Sequence, residues 1–122
     1  MNIEDLTIKE AREIAAMFSG TTATAHPRVI EGDGRAVIVR SRDAGVQFGY
    51  LEKYEGSTVY LKNARQMWSW IAAKGGTLLD CAVHGVSGGK FSTPTDVVVI
   101  GACAIIDVSP DAVKSLELAK WG

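Results

Sequence analysis

Residues 64–70 read Ala64-Arg65-Gln66-Met67-Trp68-Ser69-Trp70, ARQMWSW, and hold two of the chain's three tryptophans. Whether this stretch is a strand or a helix decides where those rings go. In a strand, side chains two apart share a face, so Trp68 and Trp70 point to one side and Met67 and Ser69 to the other. In a helix the two rings would diverge by roughly 200°. The flanking residues are strand-like and the aromatic content suits a pleated surface. The expectation is a strand on which Trp68 and Trp70 form a paired platform just after Arg65.

Upstream, the period is that of short strands. RAVIVRS (35–41) is β-branched, RDAG (42–45) signals a turn, and VQFGYLEKY (46–54) alternates, with Val46, Phe48 and Tyr50 on one face. A second turn, EGS (55–57), leads into TVYLK (58–62), where Val59 and Leu61 face together. Two hairpins in succession make an antiparallel meander. Gly49 inside a strand predicts a bend or bulge that lets a small sheet curl, an arrangement open to closure into a small barrel.

Downstream, KGG (74–76) is a turn, and Thr77 caps a short helix over 78–84 with Asp80 at the third helical position and Gly85 as terminator. GVSGGKFSTP (85–94) is read as a long loop. TDVVVIGACAIIDVS (95–109) carries the strongest strand pattern, which Gly101 splits in two. Ser109 and Pro110 form an N-cap and first-turn pair opening a helix to about Lys120. At the other end, residues 7–18 predict an amphipathic helix: Thr7 and Glu10 have capping-box spacing, and Ile8, Ala11, Ile14, Ala15 and Phe18 share a face. Residues 19–34 are read as a connector. The fold class is therefore α+β, a single domain over 1–122 with a curled antiparallel meander at 35–109 and a helix packed on it from each end.

The totals bound the function. The chain has 122 residues and a net charge of −1, so it lacks the basic field of a nucleic-acid-polymer binder. Its 47% hydrophobic and 22% charged content is that of a globular domain that builds its own core. The longest apolar run, VVVIGACAII (97–106), is about half the roughly 20 residues a spanning helix needs, and no membrane role is expected. Two cysteines without a secretory signal are read as two buried thiols, which points to the cytoplasm.

GVSGGKFS fails as a phosphate-binding P-loop: residue 91 is Phe, His84 stands where the first glycine belongs, and the preceding element is helical. Cys81 and His84, three apart on one short helix, are read as a buried thiol beside a solvated imidazole. The chain's two histidines and two cysteines have no paired metal-ligand spacing. No carboxylate pair and no nucleophile elbow appears. The expectation is a protein without catalytic residues, metal or cofactor.

What is left is aromatic and basic: Phe48, Tyr50, Tyr60, Arg65, Trp68, Trp70, Lys90 and Phe91. Flat rings stack on nucleobases, and cations meet phosphate. The alternative is that the rings fill the core or an oligomer interface. The ligand-binding expectation rests on Phe48, Arg65, Trp68, Trp70, Lys90 and Phe91.

VIVRSRDAGVQFGYL, LKNARQMWSW, GKFS and IIDVSPDAVKSLE, followed by a late tryptophan, resemble a family of small bacteriophage proteins with a domain of unknown function. Its members read Ala-Gly-Val-x-Phe-Gly, then Ala-Arg-Arg-x-Trp/Tyr-x-Trp, then Lys-Phe, over what are here roughly residues 37–121. Gln66 replaces the family's usual second arginine, which weakens a phosphate clamp there. The resemblance implies a phage origin and supplies no catalytic residues. By type, it implies a homo-oligomer in the infected host's cytoplasm that sequesters a small nucleotide-type ligand, such as a bacterial immune signal. The other readings are a virion structural or decoration protein, then a small nucleotide-acting enzyme.

Overall fold

The computed structural model describes residues 28–121. The helix expected over 7–18 lies outside them, as does most of the expected connector. Nine elements follow in order: β1 (Val29–Glu31), β2 (Ala36–Ser41), β3 (Gly45–Glu55), β4 (Thr58–Ala72), α1 (Leu78–His84), β5 (Val86–Phe91), β6 (Thr95–Ile100), β7 (Ala102–Asp107) and α2 (Pro110–Leu118). All strand pairings are antiparallel and the class is α+β.

The meander forms as its alternation predicts. β2 pairs with β3 from Ala36↔Tyr50 to Ser41↔Gly45, and β3 pairs with β4 from Glu55↔Thr58 to Gln47↔Gln66. The register breaks between Phe48 and Tyr50, so Gly49 sits at a bulge. A Cβ there would meet the Ala64 backbone and side chain at 3.0 Å, which explains why the strand carries glycine at this point. The connector reading fails at β1, three residues that pair with the far end of β3, where sheet hydrogen bonds decide the conformation rather than side-chain pattern.

β4 is one strand of fifteen residues, long enough to serve two partners on one edge. β6 pairs with its first half, Thr58↔Ile100 to Ala64↔Thr95, and β5 with its second half, Met67↔Phe91 to Ala72↔Val86. β5 corrects the loop reading of 85–94. Glycines at 88 and 89 hide strand character from a propensity argument, and pairing with β4 overrides it. Gly101 splits the next apolar run as expected, at φ 84°, and turns the chain so that β7 pairs with β2 on the opposite side of the sheet. The Gly101 and Ala102 N–H groups both donate to the Ser57 carbonyl, at 3.1 and 2.9 Å, which pins the corner. The path runs β5-β4-β3-β2-β7 with no β6–β7 ladder, so the sheet is curled but not closed into a barrel.

Both faces are buried. Val37, Val39, Leu51, Val59, Leu61 and Val99 fill the concave side, where the sheet folds over itself. Ile38, Phe48, Met67 and Phe91 face the other way, onto Leu78 and Cys81 of α1 and Ala112 and Leu116 of α2. Val46 and Tyr50 pack against this second cluster, as the shared-face reading requires. Each large side chain buried this way contributes about 1.5–3 kcal/mol. The helices keep the caps read from sequence. Thr77 and Asp80 complete a capping box, and Asp80 also accepts from the Gly76 N–H at 3.0 Å. Ser109 accepts from the Ala112 N–H with Pro110 behind it.

Gly89 is the tightest point of the β4–β5 contact. Its φ is 138°, and a Cβ would lie 2.4 Å from the Ser69 carbonyl oxygen. At Gly88 a Cβ would touch only the Ile71 methyl, at 3.5 Å. Gly89→Ala is expected to lower stability by about 1–3 kcal/mol in urea unfolding, and Gly88→Ala to leave it within about 0.5 kcal/mol.

Candidate functional site

The six residues expected to bind a ligand separate into buried and exposed sets. Phe48 and Phe91, at 1% and 2% exposure, are core residues on the helix-facing side of the sheet. Neither can stack on a base without opening the core, so the stacking role expected for them is corrected. Arg65 is also buried. Its Nε donates to the Ser92 carbonyl at 2.8 Å, and its Nη1 donates to the carbonyls of Leu116 and Glu117 at 3.0 and 2.9 Å. These last two are among the carbonyls that a helix C-terminus leaves unpaired, and a cation there also meets the negative end of the helix dipole. The Arg65 guanidinium lies over the Phe91 ring, 5.4 Å from its centroid. Arg65 is thus a clamp between β4 and α2, not the free phosphate contact expected of it. Burial lowers its pKa from the ordinary arginine value.

The tryptophan platform is corrected too. The β4–β5 register shifts between Met67 and Ser69, which makes Trp68 the extra residue of a bulge. A bulge sets two residues against one and moves everything beyond it to the opposite face. Met67 and Trp70, three apart, consequently pack on the same core cluster. Trp68 stands in solvent, 63% exposed. The strand reading holds, but its strict alternation does not.

Trp68 has a different partner. Trp121, just beyond α2 and 60% exposed, lies with its ring centroid 5.7 Å from that of Trp68, at an angle of 40°. The Lys90 ammonium sits over both rings, 5.3 Å from Trp68 and 5.5 Å from Trp121. Such contacts are worth about 0.5–1 kcal/mol each at exposed sites. The ion pairs among the described residues are Arg35–Asp107, Arg42–Asp43 and Lys62–Asp96, so no described carboxylate neutralises Lys90. An open trough of about 270 Å³ adjoins this cluster, lined by Ser69, Trp70, Ile71, Gly89 and Lys90. Of the six expected residues, Lys90 alone joins both tryptophans' surroundings: it lies over the exposed Trp68 ring and lines the trough beside the part-buried Trp70, which itself packs on the core. Trp121 was missed because a lone tryptophan after a helix has no periodicity to mark it.

Cys81 is fully buried, and loss of solvation raises its thiol pKa, as the buried-thiol reading implies. Cys103, read as buried, is exposed. Among the described residues no three His, Cys, Asp or Glu side chains converge as a metal site would require. No described helix is long and apolar enough to cross a membrane.

The fold and this surface define a small open-sheet α+β domain with an exposed aromatic–cation cluster. The chain belongs to the family described as Domain of unknown function (DUF6948), which matches residues 34–116. The match takes in the meander, the bulged strand, Lys90 and most of α2. No curated protein and no solved structure matches the chain.

Near the Arg65 clamp, the Tyr50 hydroxyl donates to a Glu117 carboxylate oxygen. Burial, then the hydrogen bond and charge of Glu117, push the Tyr50 pKa up to about 12 from 10.0. The raised value means that the fold favours the protonated phenol. That contribution is complete below pH 10 and is lost as the pH climbs to about 12. The melting temperature is expected to fall across this window more steeply in the wild type than in Tyr50→Phe, as followed by circular dichroism.

Proposed function

We propose that this protein is a non-catalytic binding module whose Trp68–Trp121–Lys90 surface takes a small, flat, anionic ligand of nucleotide type. The observation that carries the reading is the Lys90 ammonium held over two solvent-facing indole rings with no described carboxylate beside it. The rings offer faces for a base, at about 1–3 kcal/mol per stacked base. Lys90 offers a charge for phosphate, and the trough over Gly89 gives the ligand a bed along β5. With centroids 5.7 Å apart and tilted, the rings leave no slot between them, so the base stacks on an outer face. A phage origin, action in the host cytoplasm and sequestration of an immune-signalling nucleotide belong to the same proposal, on the strength of the family resemblance.

A second reading has its own observation. Ile71 and Leu118 are 62% and 68% exposed, and like Trp68 and Trp121 they are large apolar side chains left in solvent that a second subunit would cover. A virion role would use the same face for assembly.

The discriminating experiment titrates the full chain with cyclic dinucleotides, nucleoside monophosphates and ADP-ribose. It follows tryptophan fluorescence, melting temperature and molar mass by light scattering. Binding should quench fluorescence and, at a hundredfold excess over Kd, stabilise by about 2.7 kcal/mol. Trp68→Ala and Lys90→Ala should each weaken binding about tenfold or more with the fold intact. If no nucleotide shifts either signal while Trp68→Ala reduces the molar mass, the surface is a subunit interface and the ligand proposal fails.

A further inference from the structure

A separate concavity lies beside the end of α2. It is a cleft of about 240 Å³ lined by Phe48, Tyr50, Asn63, Arg65, Pro94 and Glu117. The Phe48 and Tyr50 rings meet edge to face with centroids 5.7 Å apart, so the buried Phe48 backs the cleft while the part-exposed Tyr50 and Pro94 give it apolar surface. Its polar groups are of two kinds. Glu117 is an exposed carboxylate that accepts one hydrogen bond from Tyr50, which leaves most of its acceptor capacity open. Arg65 is 7% exposed and uses Nε and Nη1 on backbone carbonyls, and its Nη2 makes no bond among the described residues. Asn63 is fixed in the left-handed region at φ 49° while its backbone N–H donates to Asp96 at 3.1 Å, and its side-chain amide makes no bond among the described residues.

These groups restrict the occupant. A free anion is repelled by Glu117, and a cation by Arg65. A neutral, flat group carrying N–H donors beside a carbonyl satisfies both, with its donors on the carboxylate and its carbonyl on Arg65 Nη2 or the Asn63 amide. The volume is below the roughly 300 Å³ at which drug-sized sites begin, and it admits one ring system.

We propose that this cleft is a base-recognition site for guanine: the ring N–H and the exocyclic amine donate to Glu117, and the carbonyl accepts from Arg65 or Asn63. The site uses residues distinct from the Trp68–Trp121 surface and stands or falls independently of it. A buried polar group left without its partner is costly, which is how such a site rejects a base lacking one of these groups.

The test is calorimetric titration of the full chain with guanosine, inosine and adenosine. Guanosine should saturate one site. Inosine, which lacks the exocyclic amine, should bind about tenfold more weakly, and adenosine, with its donor and acceptor positions exchanged, should not bind. Glu117→Gln should stay folded, because its amide oxygen still accepts from the Tyr50 hydroxyl, and lose guanosine binding at least about tenfold. Trp68→Ala should leave guanosine binding unchanged, which separates failure here from failure of the nucleotide surface. Equal affinity for adenosine and guanosine, no guanosine binding to the wild type, or unaltered binding in Glu117→Gln would each overturn the assignment.

Discussion

One buried cation holds the architecture together. Arg65 is removed from water, and that is tolerable only because three backbone carbonyls surround it, one from Ser92 and two from the end of α2. The contacts reach in two directions. Toward Ser92, they fix the turn between β5 and β6, so that both strands follow the same edge of β4. Toward Leu116 and Glu117, they seat α2 on the sheet and direct the chain beyond it. Lys90 and Trp121 come to Trp68 from these two segments. The exposed cluster thus depends on a residue that contributes nothing to its surface. Lysine could not replace this arginine as a clamp, because a single ammonium lacks the planar fork that serves carbonyls on two sides.

β4 satisfies incompatible demands by breaking its own regularity. Its first half must place Val59 and Leu61 in the concave core, and its second half must place Met67 and Trp70 under the helices. A strand of strict alternation cannot meet both requirements and also match the spacing of β5. The register shifts after Leu61 and after Met67 resolve the conflict. The second shift turns Trp68 outward. An indole left in solvent at the place where the strand must be irregular suggests that the bulge has a use beyond curvature.

Much of this was legible because local chemistry and tertiary fold agree. Thr77 with Asp80, Ser109 with Pro110, and Gly101 between two β-branched runs each name a boundary by a mechanism, and the structure has those boundaries. Val46, Phe48 and Tyr50 share the face that their spacing assigns. What escaped detection depends on pairing between distant segments. β5 reads as loop because Gly88 and Gly89 have no strand preference of their own. The partition of Trp68 from Trp70 depends on a bulge that only the position of β5 requires. Arg65 looked like a ligand contact because its acceptors are backbone atoms 27, 51 and 52 residues away, and backbone acceptors leave no mark in sequence. Trp121 was invisible for a similar reason, since its partners are on β4 and β5.

The same long-range dependence bears on how the chain is made. The Arg65 guanidinium and the Leu116 carbonyl that receives it are 51 residues apart. At roughly 5–20 residues per second, a ribosome adds Leu116 about 3–10 s after Arg65, and Leu116 leaves it later by the same interval. During that interval the meander can form, but its helix-facing side, with Phe48 and Met67, has no α2 to cover it and Arg65 lacks two of its three carbonyl acceptors. Native closure is therefore a late event in synthesis, and the nascent sheet is most vulnerable to association with its neighbours just before α2 emerges.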